Sequence, residues 1–201
     1  MKILLLDSSK ENDSVLEYAR QLTEQLSKNQ NHQIISFILR DLDIKLCSGC
    51  FNCWFKSPGI CVKADTGAEI IQTAAKSDLW IFLTPVTYGG YSYHLKKIID
   101  RMPPLMLPFF IKENGETHHN LRYNKAKLIV FGSLPAKDEE SENIFVDLAY
   151  RNSINFGNKS VISKVLLNNY DEDTLREIVS DTLSETEVLN EYKKESSSFS
   201  R

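Results

Sequence analysis

Apolar residues in this chain follow two alternating patterns: short unbroken runs, and longer stretches in which they recur at every third or fourth position. Lys2 to Leu6 is an unbroken run closed by Asp7-Ser8-Ser9, which predicts a strand buried on both faces that ends in a loop. From Val15 onward, Leu16, Ala19, Leu22 and Leu26 share one side of a helix, and Ser14 with Glu17 forms a capping box at its start. His32 to Leu39 is the second predicted strand. Thr66 to Ala75 is a helix with Ala68, Ile71 and Ala75 along one side, Leu79 to Thr84 a third strand, and Ser92 to Arg101 a helix that turns Leu95, Ile98 and Ile99 inward. Prolines at 103, 104 and 108 end that helix and forbid another directly after it. Lys112 to Asn124 reads as polar and irregular. Lys127 to Gly132 is the fourth strand, Glu142 to Asn155 a helix, Ser160 to Leu167 the fifth strand, and Asp173 to about Tyr192 the last helix.

Five buried strands alternating with helices predict an α/β domain built on a doubly wound parallel sheet with helices on both faces. In the five-stranded flavodoxin-like order the ligand crevice lies where the strand order reverses, between the loops after the first and third strands. Those loops are Asp7 to Ser14 and Thr84 to Tyr91. A chain of 201 residues suits one domain. Its expected span is 1–192, with a cysteine-bearing insertion at 44–64 and a disordered tail at 193–201. The net charge of -3 speaks against a nucleic-acid partner held through phosphates. No apolar run reaches membrane-spanning length, and Met1 leads straight into KILLLDSS with no signal-peptide pattern, so a soluble cytoplasmic protein is expected.

All four cysteines fall in one stretch, CSGCFNCWFKSPGIC, as Cys47, Cys50, Cys53 and Cys61 in a C-x2-C-x2-C-x7-C pattern. Short C-x2-C steps bring thiolates together, and three evenly stepped cysteines with a fourth beyond the turn match the ligand set of a 4Fe-4S cluster. Structural zinc more often takes two separate C-x2-C pairs, and a reducing compartment argues against disulfides. Cluster, zinc and free thiols remain the three readings of this stretch. Trp54 reads as a partly buried anchor for the cysteine loop.

Among the loops, Ser8, Ser9, Asn12 and Ser14 offer polar donors beside the open N-terminus of the first helix, and Lys10 adds a positive charge, which together suit a terminal phosphate. Glu11 and Asp13 oppose it. In the third loop, Pro85 fixes the chain direction and Gly89-Gly90 let bare backbone approach a flat ligand, with Tyr88 and Tyr91 able to add ring edges or faces. The alternative for both loops is a solvated turn. No G-x-G-x-x-G fingerprint and no nucleophile elbow occur, so neither a Rossmann dinucleotide site nor a hydrolase triad is expected. His118-His119 read as a solvent-exposed pair, and Lys96-Lys97 with Asp100-Arg101 as a helix's solvated face.

The combination of KILLLDSSKENDS, CSGCFNCWFKSPGICVKAD and SDLWIFLTPVTYGGYSYHLKKIIDR resembles the NADPH-dependent FMN reductase family, in particular its iron-sulfur flavoprotein branch, over residues 1 to about 135. The resemblance implies FMN as cofactor, with its phosphate on Ser8, Lys10, Asn12, Ser14 and Val15. It places the isoalloxazine against Pro85, Val86, Thr87, Tyr88, Gly89 and Gly90, with Gly132 and Ser133 closing the ring from the other side. It also implies NAD(P)H as co-substrate, a 4Fe-4S cluster on the four cysteines, a redox partner such as ferredoxin, and assembly as a homodimer or homotetramer. The family's usual Gly-Ser-Pro-Arg opening is Asp7-Ser8-Ser9-Lys10 here, a later Gly is Asp13, and Ala64-Asp65 stands where paired acids are common. The expected function is an FMN-dependent oxidoreductase that takes hydride from a nicotinamide onto the flavin, with no side chain in the role of acid or base. A flavin or flavin-cluster electron carrier, and a flavin-free binding module, are the alternatives.

Overall fold

In the computed structural model, which describes residues 1–113, 115–123, 126–158 and 160–186, a five-stranded parallel sheet forms the centre. In chain order the elements are β1 (Lys2–Asp7), α1 (Ser14–Asn29), β2 (Gln33–Ile38), α2 (Asn52–Phe55), α3 (Thr66–Ala75), β3 (Leu79–Pro85), α4 (Tyr93–Ile99), β4 (Met106–Glu113), β5 (Glu116–Leu121), β6 (Lys127–Leu134), α5 (Glu139–Asn155), β7 (Val161–Leu167) and α6 (Glu172–Glu185). The sheet order is β2-β1-β3-β6-β7, the flavodoxin-like winding, with the reversal between β1 and β3.

Alternation along the strands divides the core in two. Leu4, Leu6, Trp80, Phe82, Leu128 and Val130 face one side, where they meet Ile70 and Ala74 of α3, Leu95 and Ile98 of α4, and Phe145 and Ala149 of α5. Ile3, Leu5, Ile81, Leu83, Ile129 and Phe131 face the other, against Leu16 and Ala19 of α1 and Leu175 and Val179 of α6. The three inner strands therefore carry unbroken apolar runs, because both of their faces are covered.

Several expectations are corrected. The outer strands β2 and β7 are only partly buried, since each lies at a sheet edge with one flank open. The inward stripe of α3 is Gly67, Ile70, Ile71 and Ala74, one position back from the Ala68, Ile71 and Ala75 line. The helix after the first strand is capped by Asp13, whose Oδ1 accepts from the Leu16 N–H at 3.2 Å; Ser14 is its first helical residue, so the Ser14–Glu17 capping box does not form. The polar stretch after the prolines is ordered as the antiparallel hairpin β4–β5, in which Phe110 pairs with His119 and Lys112 with Thr117. That hairpin has no apolar alternation to announce it, because it lies outside the main sheet. The last helix is described as far as Glu185; the part expected up to Tyr192, and the tail, lie outside the described residues.

Ile81 has no exposed surface and sits at the middle of the central strand. Ile81→Ala is expected to lower unfolding free energy by about 2–5 kcal/mol. Urea denaturation with an unchanged m-value checks it; a loss below about 1 kcal/mol would mean that the site collapses around the smaller side chain.

Candidate functional site

The carboxyl ends of β1 and β3 open onto the loops at 8–13 and 86–92, and the second of these is the more constrained. Thr87 and Gly90 exchange two backbone hydrogen bonds of 2.9 Å across the pair Tyr88-Gly89, both with positive φ (50° and 73°). This is the two-residue turn geometry that favours glycine, and a tyrosine held there carries local strain of a kind that concentrates at functional loops. Its ring is 99% exposed. Tyr91 behaves differently from expectation. It is buried, its hydroxyl accepts from Asn152 Nδ2 at 3.2 Å, its ring meets Phe145 edge-on, and burial pushes its hydroxyl up to about 12; it belongs to the core and not to a ligand face. Thr84 Oγ1 accepts from the Ser92 N–H at 2.9 Å, and Ser92 Oγ caps α4 by accepting from Leu95. The loop after β3 is thus fastened to the helix that follows it.

The loop after β1 uses much of its polarity internally. The Ser8 hydroxyl donates to Leu83 O at 2.8 Å, the Ser9 N–H donates to Asp7 Oδ1, and Arg40 donates to Ser9 Oγ at 3.0 Å. Asp7 is buried against Arg20 at 3.2 Å. Lys10, Asn12 and Ser14 are exposed, and Asn12 has φ 62°. The Ser14 and Val15 N–H groups stand in the first turn of α1, where a helix leaves its donors without intrahelical partners. The Asp13 carboxylate lies at the same end: one oxygen caps Leu16, and the other accepts from Ser133 Oγ at 2.8 Å, across to the end of β6. Gly132 is needed for packing, since a Cβ there would lie 2.7 Å from Val86 Cγ2 and 2.8 Å from the Phe145 ring.

FMN is therefore matched unevenly. The exposed Thr87 and the exposed Tyr88 ring suit a flat ring system, while Gly89 is buried under Ile144, which lies 2.5 Å from where its Cβ would be; open N–H groups with Lys10 suit a phosphate. A carboxylate held at the helix start opposes the phosphate charge.

The cysteine segment folds back on itself as its spacing requires. The Gly59 N–H donates to Cys53 O at 2.9 Å, with Gly59 at φ 84°. Residues 52–55 form a single turn of helix within a segment that reads as irregular in sequence. Trp54 anchors it, donating from Nε1 to Pro103 O at 2.8 Å and lying beside His119. Cys47, Cys50, Cys53 and Cys61 line one pocket, floored by Arg101, Pro103 and Pro104. Burial pushes the Cys53 thiol up, and Cys61, Cys47 and Cys50 push it further; the Asn52 N–H draws the exposed Cys50 thiol down. The donor set is all sulfur and shares one space, which fits a soft metal or cluster. Among the described residues, no three His, Cys, Asp or Glu side chains stand close enough to hold an ion as arranged. The outer pair, Cys47 and Cys50, is exposed.

The residue that ties this segment down is Arg101, which the sequence presents as part of a helix's solvated face. Arg101 is 1% exposed, not part of a solvated face; Lys97 is also buried, and only Lys96 and Asp100 form the exposed ion pair of that helix end. His118 is buried as well, and His119 stacks on Phe110, so the two histidines are not an exposed pair. Arg101 donates to Asp65 Oδ2, to Lys45 O at 3.1 Å, to Lys63 O at 3.4 Å and to Cys61 Sγ at 3.3 Å. Burial raises the Asp65 carboxyl, but Arg101 and the Lys45 and Ala68 N–H groups outweigh it and hold it at about 2. One signal in the sequence points there: Gly67, in the first turn of α3, stands where better helix formers are available.

A flavodoxin-like sheet with its crevice at the β1–β3 reversal defines the class of fold that serves flavoproteins and related nucleotide binders. This chain belongs to the NADPH-dependent FMN reductase family, whose model matches residues 1–136. It is 35% identical over 74 residues to an iron-sulfur flavoprotein of Methanocaldococcus jannaschii (37% of each chain). It is 27% identical over 101 residues to an iron-sulfur flavoprotein of Archaeoglobus fulgidus (50% of this chain, 48% of the relative). The matched segments thus span less than half of either relative. In three dimensions it resembles the NAD(P)H:quinone oxidoreductase from Methanothermobacter marburgensis, with TM-score 0.66, 15% identity and 96% of each chain covered. It also resembles an FMN-dependent NADH-azoreductase from Bacillus anthracis in complex with FMN, with TM-score 0.60, 13% identity, and 92% and 96% covered. Among the described residues, no helix is long and apolar enough to cross a membrane.

Because the Asp65 carboxyl is depressed in the folded chain, its stabilising effect is complete above the ordinary value of 3.8 and is lost as pH falls toward about 2. Asp65→Asn is expected to be less stable than wild type by about 3–5 kcal/mol at neutral pH, since it leaves a buried guanidinium unpaired. The gap should narrow as pH falls from about 4 to about 2. Urea midpoints of both proteins across that range check it; a gap independent of pH would show that the carboxylate charge is not what stabilises the pair.

Proposed function

We propose that this protein is a flavin-dependent NAD(P)H oxidoreductase that holds FMN at the crevice between the loops after β1 and β3. The observation that carries the reading is the fixed Tyr88-Gly89 turn, which presents an exposed ring at the sheet's switch point, in a chain of this family. The ring system would lie against Pro85, Val86, Thr87, Tyr88, Gly89 and Gly90, with Gly132 and Ser133 on the far side. The phosphate would take the Ser14 and Val15 N–H groups with Lys10 and Asn12; Ser8 gives both its hydroxyl and its backbone N–H to Leu83 O and so offers the phosphate no donor. When bound, the flavin supplies the hydride and electron chemistry. The chain's own residues bind and orient it, and no side chain is assigned as acid or base.

Cys47, Cys50, Cys53 and Cys61 are assigned as one ligand set, and a 4Fe-4S cluster is the occupant their all-sulfur chemistry favours. The relatives named iron-sulfur flavoproteins support that choice. With a cluster, the electron donor or acceptor would be a protein partner such as ferredoxin. Exposed aromatic rings at Tyr88, Tyr93, Phe109 and Phe110 support assembly as a homodimer or homotetramer, and cysteines used as a ligand set would go with a cytoplasmic location.

Protein reconstituted with FMN and desalted is expected to keep about one flavin per chain, and NADH or NADPH should bleach it anaerobically without a partner. Full loss of flavin on desalting would leave a binding module of this fold. A flavin that resists both nicotinamides but is reduced by ferredoxin would establish the carrier.

Asp13→Asn keeps the helix cap and removes the charge. FMN affinity is expected to rise about tenfold while riboflavin affinity stays unchanged, because one unit charge near a phosphate at partly screened distance amounts to about 1–2 kcal/mol. Fluorescence titration with the two flavins reads it; an equal change for both would place the phosphate elsewhere.

A further inference from the structure

Arg101 spans both ends of the cysteine segment. Its Nη1 reaches Lys45 O before the first cysteine and Asp65 after the last, and its Nη2 reaches Lys63 O and Cys61 Sγ. A guanidinium facing one carboxylate ordinarily forms a bidentate fork. Here the carboxylate is already occupied. Asp65 Oδ1 accepts from the Ala68 N–H at 3.1 Å as the cap of α3, and Oδ2 accepts from the Lys45 N–H at 3.0 Å as well as from Arg101 Nη1. That arrangement turns the second amino group of Arg101 away from Asp65 and onto a sulfur.

The surroundings are shaped for this pose. A Cβ on Gly67 would lie 2.4 Å from Nη1 and 2.9 Å from Cζ, so the first turn of α3 admits the guanidinium only because it carries no side chain there. Glycine in a helix costs about 1 kcal/mol relative to alanine. An ion pair serving the fold alone would require neither the sulfur contact nor this cradle.

We propose that Arg101 is a positioning residue for the cysteine site. It holds the Cys61 sulfur toward the pocket shared by Cys47, Cys50 and Cys53, and it places a permanent positive charge beside that sulfur. Cys61 lies eight positions beyond Cys53, the widest step in the set, so it is the ligand least fixed by local chain geometry. A clasp on the following residues, Lys63 and Asp65, supplies the constraint that short C-x2-C steps give the other three. The inference rests on the reading of the four cysteines as one ligand set.

The test uses the reduced, anaerobic full chain and cobalt(II) alone as probe, since each thiolate on cobalt adds to a near-ultraviolet charge-transfer band. Wild type is expected to give the intensity of four thiolates and Cys61→Ser about three-quarters of it, as for a four-coordinate site. Arg101→Lys keeps a charge for Asp65 but lacks the fork that reaches sulfur. It should remain folded by circular dichroism and give the three-thiolate intensity, with no further drop when combined with Cys61→Ser. Gly67→Ala, which keeps the Arg101 side chain but pushes its guanidinium out of position, should do the same. A second readout needs no metal: dibromobimane, which bridges two neighbouring thiols, should link Cys53 to Cys61 in wild type and at least threefold less in Arg101→Lys. A folded Arg101→Lys protein with the wild-type cobalt band and wild-type cross-link would overturn the proposal. If wild type takes no cobalt, the ligand-set reading fails separately, and the cross-link alone decides the role of Arg101.

Discussion

A parallel sheet must be covered on both faces, and that requirement arranges everything else in this protein. Once α1 and α6 close one face and α3, α4 and α5 the other, side chains of the inner strands are committed to packing. Chemistry is left to the strand ends, where backbone groups leave the ladder and need partners. The switch point between β1 and β3 is one such end. The cysteine segment, like the β4–β5 hairpin, departs from the layered plan: it lies outside the sheet and depends on Arg101, Trp54 and the two prolines after α4 to hold it against the domain.

The two regions treat charge in opposite ways. At the start of α1, Asp13 sits where helix geometry favours an anion and is retained there by Leu16 and Ser133. The position is already satisfied by the chain itself, so any incoming phosphate competes with a resident carboxylate. Around the cysteines the resident group is a guanidinium instead. Burial works against its charge, and Asp65 and Cys61 more than offset that penalty.

Much of this was legible in the sequence because the signals are local. Unbroken apolar runs at Lys2–Leu6 and Leu79–Thr84 give the inner strands, and the spacing of Cys53, Pro58-Gly59 and Cys61 gives the fold-back that the Gly59 to Cys53 hydrogen bond closes. What escaped depends on distant partners. Arg101 at the end of a helix looks like an ordinary favourable terminal charge, and nothing nearby reveals that Asp65, 36 positions earlier, will bury it. Tyr91 looks like a ligand-facing ring until Asn152 claims its hydroxyl. The β4–β5 hairpin carries histidines, asparagine and a proline, and it pairs only with itself, so no core imposes an apolar rhythm on it.

One short helix joins the two regions. α4 is capped by Ser92, whose N–H is bound to Thr84 beside the crevice, and just past its other end stands Arg101, which lines the pocket of the cysteines. Seven helical residues rise about 10 Å, and each residue turns the chain by about 100°. The separation of the crevice from the cysteines is thus a length of helix, and the direction in which Arg101 points is a matter of rotational phase. A chain one residue longer or shorter in α4 would keep both sites and the sheet between them, yet swing the guanidinium a quarter turn off its sulfur.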